Sequence, residues 1–293
     1  MKLKINKIFW VLLILIIGSG FSWLSVRWSR HNVAELSRWR NSKISPVIMI
    51  PGSSATENRF DRLVAKLNQG NKSPHSLLKI RVTNDDQLHY SGRIRPGDNE
   101  PIIVVGFENN HDGYQNIKQQ ARRFNIAFKA LSQAYNFNNF KAIGHSNGGL
   151  IYTRFLENEF AQYRYRIRLK RLMTIGSPYN FNEKTIDHKT QMLSEMIHAR
   201  SRLPQAMTVY SIAGTQTYNS DGLVPLASVE AGKYIFQGCV KHYTAISVSG
   251  ADAQHSDLPQ NQQVVGLIKQ DALDHPVKKQ ASTNTPYLNQ RVN

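Results

Sequence analysis

The sequence predicts an α/β protein with one mostly parallel sheet covered by helices on both faces. Short apolar runs of strand type alternate with longer stretches of helical period from residue 46 to residue 272, which is the pattern of repeated β-α units. The chain has 293 residues, of which 41% are hydrophobic and 19% charged, enough for one sizeable buried core. We therefore expect one folded domain over residues 31–274, preceded by a separate segment over 1–30.

The N-terminal segment is predicted to be a membrane anchor. Three lysines precede an unbroken apolar run over residues 8–17, and a weaker apolar stretch continues to Val26. About twenty mostly apolar residues can span a bilayer as a helix. A cleaved signal peptide is the alternative, because the strongest apolar core is no longer than that of a signal sequence. An uncleaved anchor is favoured because no Ala-x-Ala site follows and Trp23 and Trp28 have the character of interfacial residues.

The apolar runs and the periodicity that follows them define the expected elements of the domain. Strands are predicted at 47–50, 78–82, 102–107, 141–144, 171–175, 208–213 and 243–248. Helices are predicted at 58–67, 114–135, 147–160, 189–199 and 262–273. Residues 177–205 break the alternation and suggest a small lid-like insertion over the site. A packing helix with a buried apolar face is the alternative, because helical periodicity does not distinguish the two.

The motif Gly-His-Ser-Asn-Gly at 144–148 is the most informative stretch of the chain. An apolar run, 140–143, leads into it and a helix-compatible run, 150–160, follows it. This is the strand-turn-helix setting of a nucleophile elbow, in which glycines two residues either side of the serine allow close backbone approach. Ser146 is therefore the predicted nucleophile. The alternative is a turn of small residues that only joins two elements.

A serine nucleophile needs a base, and the base needs an orienting acid. Asp221 lies in a loop after the apolar run 207–213, and His255 lies in a loop after the strand-like run 243–248. Serine, acid and histidine thus each follow a separate predicted strand, which favours a Ser-Asp-His triad. Ordinary turn chemistry is the alternative for Asp221, and a solvated loop imidazole is the alternative for His255.

The oxyanion formed when a serine attacks a carbonyl needs hydrogen-bond donors. The N–H of Asn147, at the start of the helix after the elbow, is the first expected donor. The second is expected from the loop that follows the first strand, and we place it at Ser53, with Ser54 as the alternative.

The chain resembles the α/β-hydrolase superfamily, and more narrowly a group of membrane-anchored cell-surface hydrolases of Gram-positive bacteria. The matching motifs lie at 50–54, 143–149, 175–180, 220–225 and 255–259. The resemblance implies the α/β-hydrolase fold, Ser146 as nucleophile, Asp221 as acid, His255 as base, and a domain outside the membrane. One departure is that many relatives open the oxyanion loop with His-Gly, whereas this chain has Pro51-Gly52.

The net charge of +17 implies attraction to polyanions. One basic cluster, with interleaved tyrosines, comprises Arg164, Arg166, Arg168, Lys170 and Arg171. We expect mostly a solvated face that adheres to anionic lipids or cell-wall polymers, with a dedicated groove as the alternative. No motif for specific nucleic-acid binding accompanies the charge.

The cysteine count and the spacing of possible metal ligands limit which kinds of site the chain can form. A single cysteine excludes an intrachain disulfide, and neither a metal nor a cofactor is expected from the spacing of possible ligands. The polar tail, 275–293, is predicted to be disordered. The leading functional prediction is a serine hydrolase that cleaves a carboxylic ester or thioester through an acyl-enzyme. The alternatives are an acyltransferase with the same triad, or a basic surface-binding protein on a hydrolase scaffold whose triad is inert.

Overall fold

One sheet forms the centre of the domain in the computed structural model, which describes residues 2–274; the predicted disordered tail lies outside these residues. The strands are β1 (Val47–Ile50), β2 (Leu77–Val82), β3 (Leu88–Arg93), β4 (Ile102–Phe107), β5 (Asn139–His145), β6 (Arg168–Ile175), β7 (Thr208–Thr215) and β8 (His242–Ser249). Their order across the sheet is β3-β2-β4-β1-β5-β6-β7-β8. Every neighbouring pair is parallel except β2 and β3. The predicted fold class is confirmed.

All seven predicted strands are present, and β3 is the strand that sequence analysis missed. β1 and β4 have the predicted bounds, and the other five are one to three residues longer at an end. β3 forms an antiparallel hairpin with β2 at the edge of the sheet, and its side chains are mostly exposed. An exposed edge strand needs no apolar run, so no such run marked it in the sequence.

Helices cover both faces of the sheet. The α-helices of the described residues are α1 (Lys2–Arg40), which precedes the sheet, and α2 (Asp61–Asn68), α3 (Tyr114–Tyr135), α4 (Asn147–Asn158), α5 (Gln191–Ala199), α6 (Leu226–Glu230), α7 (Lys233–Phe236) and α8 (Gln262–Leu267), the last continued by a π-helical turn, Ile268–Ala272. Alternation along β1 divides the core: Ile48 and Ile50 pack on the side of α3 and α4, whereas Val47 and Met49 pack on the side of α2 and α8.

The helices agree with the prediction except at some ends and in two short elements. α3 has the predicted bounds, and the helix predicted at 147–160 ends at Asn158 before a separate 3₁₀ turn, Phe160–Gln162. α6 and α7 were not predicted, because five and four residues are too few to display a helical period.

The helix expected as a lid or a packing element is α5. Its side chains Met192, Leu193 and Met196 are buried in the main core, as the packing alternative expects. The loop before it is held by the Asn180 side chain, whose amide nitrogen donates to two loop carbonyls and whose oxygen accepts the N–H of Thr190. A covering role over the site stays a prediction.

A buried arginine and a buried carboxyl group lie side by side on α4. The Arg154 Nη1 and Glu157 Oε2 atoms are 2.9 Å apart, and the Glu157 side chain has no exposed surface. Burial raises the pKa of Glu157 to about 8, although the charge of Arg154 opposes this shift. The Glu157 carboxyl therefore accepts a proton more readily in the folded protein than in solution.

The N-terminal helix α1 is longer than the predicted segment, because it continues without a break past residue 30 to Arg40. Its portion Ile8–Ser29 is long and apolar enough to cross a membrane, a property that a signal sequence shares. The end of α1 is tied to the domain by the Asn138 amide, which donates to the carbonyls of Trp39 (3.1 Å) and Arg40 (3.2 Å). Whether the segment is an anchor or a signal stays a prediction.

Candidate active site

Three of the predicted site residues lie just beyond the carboxyl ends of three parallel strands, β5, β7 and β8. Ser146 follows β5 directly, Asp221 lies in the loop after β7, and His255 lies in the loop after β8. Because these strands run parallel, their carboxyl ends share one edge of the sheet. Residues far apart in the sequence are thereby brought to one place.

The three side chains form a continuous line of hydrogen bonds. His255 Nε2 lies 3.0 Å from Ser146 Oγ, and His255 Nδ1 lies 2.6 Å from Asp221 Oδ2. The relative exposure of the three residues is 7% for Ser146, 5% for His255 and 1% for Asp221. Because the buried Asp221 carboxylate accepts the N–H of His255 Nδ1, the lone pair of the imidazole is on Nε2 and is directed at the Ser146 hydroxyl.

Asp221 is oriented by its own loop. Its Oδ1 atom accepts the N–H groups of Leu223 (3.1 Å) and Val224 (2.7 Å), which leaves Oδ2 for His255. The backbone N–H of His255 also donates to the Asp221 carbonyl at 2.8 Å. The sequence around Asp221, which also fits a turn, thus forms a turn that fixes the position of the Asp221 carboxylate.

Ser146 has the backbone strain of a nucleophile elbow. Its φ is 54° and its ψ is −127°, a conformation that L-residues rarely adopt and that costs on the order of 1–3 kcal/mol. The flanking glycines permit the turn: a Cβ on Gly144 would lie 2.5 Å from the Gly149 nitrogen, and one on Gly148 would overlap the Ile50 carbonyl. Only glycine fits either position.

The loop after β1 lies against the serine. A Cβ on Gly52 would be 2.6 Å from Ser146 Cβ and 3.1 Å from Ser146 Oγ. The next two residues differ in what their N–H groups do: Ser54 donates to the Asn110 carbonyl at 2.8 Å, whereas Ser53 has no acceptor within the described part of the chain. Asn147 is buried at the start of α4, where helical N–H groups point towards Ser146.

Residues 35–274 match a family described as alpha/beta hydrolase of unknown function (DUF915). The chain belongs to this family. The match covers most of the domain and confirms the resemblance that the motifs predicted.

Two solved structures are similar to this α/β hydrolase over most of their own length. A presumed cell surface hydrolase from Lactobacillus plantarum WCFS1 is 53% identical, with a TM-score of 0.72, and the match covers 78% of this chain and 91% of that one. The product of the gene lin2722 of Listeria innocua is 24% identical, with a TM-score of 0.71, over 79% and 96% of the two chains, and it supports the fold alone. Among curated proteins, none matches the chain significantly.

His145 supports the hydrolase's site in a way that sequence analysis missed. Its Nε2 atom lies 3.0 Å from the carbonyl oxygen of His255, and the centres of the two rings are 4.9 Å apart. Because a carbonyl only accepts, the proton of His145 resides on Nε2. Burial holds the pKa of His145 well below its usual value, and the nearby His255 lowers it further. His145 is therefore a neutral donor that fixes the backbone of His255.

Arg59 also holds the loop that carries His255. Its guanidinium donates to the carbonyl of Ser256 and, at 3.2 Å, to Gln260 Oε1. Burial lowers the pKa of Arg59, and the charge of Asp257 opposes that effect. The contact joins residues almost two hundred positions apart, so no local sequence pattern could have revealed it.

Across residues 2–274, no group of three or more His, Cys, Asp or Glu side chains is arranged to hold a metal ion.

Proposed function

We propose that the protein is a serine hydrolase that cleaves a carboxylic ester or thioester through an acyl-enzyme. The observation that carries the proposal is the line of hydrogen bonds from Ser146 Oγ through the His255 imidazole to Asp221 Oδ2, with spacings of 3.0 and 2.6 Å. Membership of an α/β-hydrolase family supports it. A serine hydroxyl is a weak nucleophile that becomes effective when an adjacent base removes its proton.

In the first half of the reaction, His255 Nε2 takes the hydroxyl proton while Ser146 Oγ attacks the carbonyl carbon of the substrate. His255 becomes positively charged, and Asp221 stabilises that charge without taking up the proton. His255 then gives the proton to the leaving alcohol or thiol, the bond to the leaving group breaks, and the acyl group remains on Ser146.

The negative oxygen formed during attack is assigned to two backbone donors, the N–H groups of Ser53 and Asn147. Ser53 is favoured over Ser54 because the N–H of Ser54 already donates to Asn110, and because Gly52 brings this loop into contact with Ser146. Asn147 adds the partial positive charge of a helix N-terminus. One such donor typically contributes about 10²–10³-fold in kcat.

In the second half, water enters and His255 removes one of its protons as the water oxygen attacks the acyl carbonyl. The Ser146 Oγ bond to the acyl group breaks, His255 returns the proton to the serine, and a carboxylic acid is released. An alcohol or amine acceptor in place of water would make the protein an acyltransferase with the same residues.

We further propose that α1 remains uncleaved and anchors the domain at the outer face of the cell membrane. The exposed apolar stretch Ile8–Ser29 and the similarity to a presumed cell surface hydrolase support this location. Release after cleavage of a signal peptide is the alternative. An intact mass of the protein recovered from the membrane fraction distinguishes the two.

The experiment that tests the activity uses the full chain in detergent micelles with p-nitrophenyl esters of increasing acyl length and with acyl thioesters. The Ser146→Ala variant is expected to lose turnover while its circular dichroism and unfolding midpoint stay those of the wild type. Ser256→Ala is the matched control, because this serine adjoins His255 but its side chain is exposed. Turnover by Ser146→Ala at the wild-type rate would contradict the proposal.

A further inference from the structure

The membrane helix and the candidate active site attach to opposite ends of the same strands. α1 ends at Arg40, and residues 41–46 lead directly into the amino end of β1. Asn138, which binds the last carbonyls of α1, immediately precedes β5. Ser146 follows the carboxyl end of β5, which is seven residues long, so about 20 Å of strand separates the two ends.

A basic groove lies where α1 meets the domain. Its volume is about 590 Å³, and it lies between the end of α1 and the turn that precedes β6. Four arginines line it, namely Arg40, Arg164, Arg166 and Arg168. Among the residues that the structure describes, Arg166 and Arg168 have no carboxylate partner. Their charge is therefore free to meet an external anion.

An exposed aromatic side chain stands among these arginines. Tyr165 is 81% exposed, and the Arg164 guanidinium lies over its ring at 4.9 Å while donating to its hydroxyl at 2.9 Å. Trp39, at the end of α1, lines the same groove. Aromatic rings beside basic residues are typical of surfaces that meet lipid headgroups.

The positive charge continues along the amino edge of the sheet. A second depression there, of about 1250 Å³, is lined by five more basic residues, namely Lys43, Lys72, Arg95, Lys170 and Lys269. The carboxylates in its wall already have partners: Glu100 and Asp274 bind the buried Lys141, and Asp98 accepts the N–H groups of Ser76 and Glu100. The edge as a whole keeps an excess of positive charge.

The length of α1 places the amino edge of the sheet close enough to the membrane surface for the charge of the lipid headgroups to act on it. Arg40 is the eleventh residue after Ser29, the end of the apolar span, so the two are about 16 Å apart along the helix axis. The headgroup layer occupies about 5–8 Å of that distance. The remainder is close to the Debye length of about 8 Å at physiological salt, and arginine side chains shorten it further.

We propose that the amino edge of the sheet, with the groove of Arg40, Arg164, Arg166 and Arg168 at its centre, docks on the anionic phospholipid headgroups of the membrane that holds α1. This inference rests on the proposed anchor. Docking turns the carboxyl edge, with Ser146, away from the bilayer. The ester substrate is then an extracellular molecule and not a lipid of the bilayer that carries the anchor.

The test measures which end of the domain faces the lipid in the full chain reconstituted into vesicles. In a Cys239→Ser background, a donor fluorophore is placed by Tyr165→Cys at the amino edge or by Tyr218→Cys at the carboxyl edge, where Tyr218 is 98% exposed. Headgroup-labelled lipid is the acceptor. Vesicles contain phosphatidylcholine alone or mixed with phosphatidylglycerol.

We expect stronger energy transfer from position 165 than from 218 in the anionic vesicles, and a fall of about half at 165 in neutral vesicles or high salt. The triple variant Arg164→Gln, Arg166→Gln, Arg168→Gln is expected to reproduce that fall. The matched control removes three exposed charges elsewhere, Arg62→Gln, Lys184→Gln and Lys189→Gln, and should leave the transfer unchanged.

Three outcomes of the energy-transfer and flotation measurements would overturn the proposal. The first is equal energy transfer from positions 165 and 218, and the second is transfer from 165 that does not change with lipid charge or salt. The third is that the protein does not float with the vesicles, which would also contradict the proposed anchor. If the triple variant keeps its transfer but loses binding to soluble polyphosphate, the groove binds a soluble polyanion and membrane docking is wrong. Hydrolysis of a soluble ester is measured in parallel, so a failure of the catalytic proposal is seen separately.

Discussion

Replacing Gly52 by alanine tests how closely the loop after β1 must approach the serine. A Cβ at this position would lie 2.6 Å from Ser146 Cβ, 3.1 Å from Ser146 Oγ and 3.2 Å from the His145 carbonyl oxygen. Ordinary contacts of a Cβ begin at about 3.4 Å, so the loop must retreat by roughly 0.8 Å. Ser53, which follows Gly52, would be displaced with it.

The expected loss follows from that displacement. A misplacement of about 1 Å in a catalytic arrangement typically costs on the order of 10²-fold in rate. We therefore expect the kcat of Gly52→Ala for a p-nitrophenyl ester to fall by about 10²-fold, with a much smaller change in KM. Overpacking should lower the free energy of unfolding by about 1–3 kcal/mol, as measured by urea denaturation.

The control is Gly266→Ala, because a Cβ on this α8 glycine meets no atom within 4 Å. That variant should keep its activity and gain about 0.5–1 kcal/mol of stability, since alanine favours a helix. A Gly52→Ala enzyme with wild-type kcat and wild-type stability would refute the placement of this loop and of the Ser53 donor.

Substitutions at three further positions, Asp221, His145 and Glu157, test the site, its support and the buried carboxyl group of α4. Asp221→Asn should lower kcat by about 10⁴-fold with the fold intact, because the orienting carboxylate is lost; a wild-type rate would remove Asp221 from the triad. His145→Phe should leave the His255 carbonyl unsatisfied, which costs about 1–3 kcal/mol of stability and lowers kcat, whereas His145→Gln can still donate and should recover most of both. Equal behaviour of the two His145 variants in unfolding and kinetic assays would contradict the donor role. The raised pKa of Glu157 means that between about pH 4.5 and pH 8 the folded state holds a proton that the unfolded state has lost, so stability should fall as pH rises through this window, by up to about 1.4 kcal/mol per unit. Glu157→Gln should remove this contribution, and unfolding midpoints whose pH dependence matches that of the wild type would count against it.

The fold could be predicted where burial leaves a pattern in the sequence. The central strands are buried on both faces, so β1 and β4 appear as short unbroken apolar runs and were placed to the residue. β3 has one partner and an exposed surface, and α6 and α7 are about one turn long, so none of the three produces a period that the sequence can show. What the sequence indicated well was therefore the part of the chain that the core constrains.

The site divides in the same way. Ser146, Asp221 and His255 each follow a strand, so their grouping depends only on the order of strands in a parallel sheet. The hydrogen bond from His145 to the His255 carbonyl and the one from Arg59 to the Ser256 carbonyl join residues that are 110 and 197 positions apart. The difference between Ser53 and Ser54 likewise depends on one hydrogen bond to the distant Asn110. Such contacts exist only after folding, and local patterns do not contain them.

The most direct test of the central claim is covalent trapping of the nucleophile. The full chain is treated with a fluorophosphonate, which phosphonylates a serine only where a base activates it, and the labelled peptide is identified by mass spectrometry. The account predicts one modification, on Ser146, that is absent in Ser146→Ala and strongly slowed in His255→Ala. A folded protein that takes no label on Ser146, or whose labelling ignores His255, would contradict it.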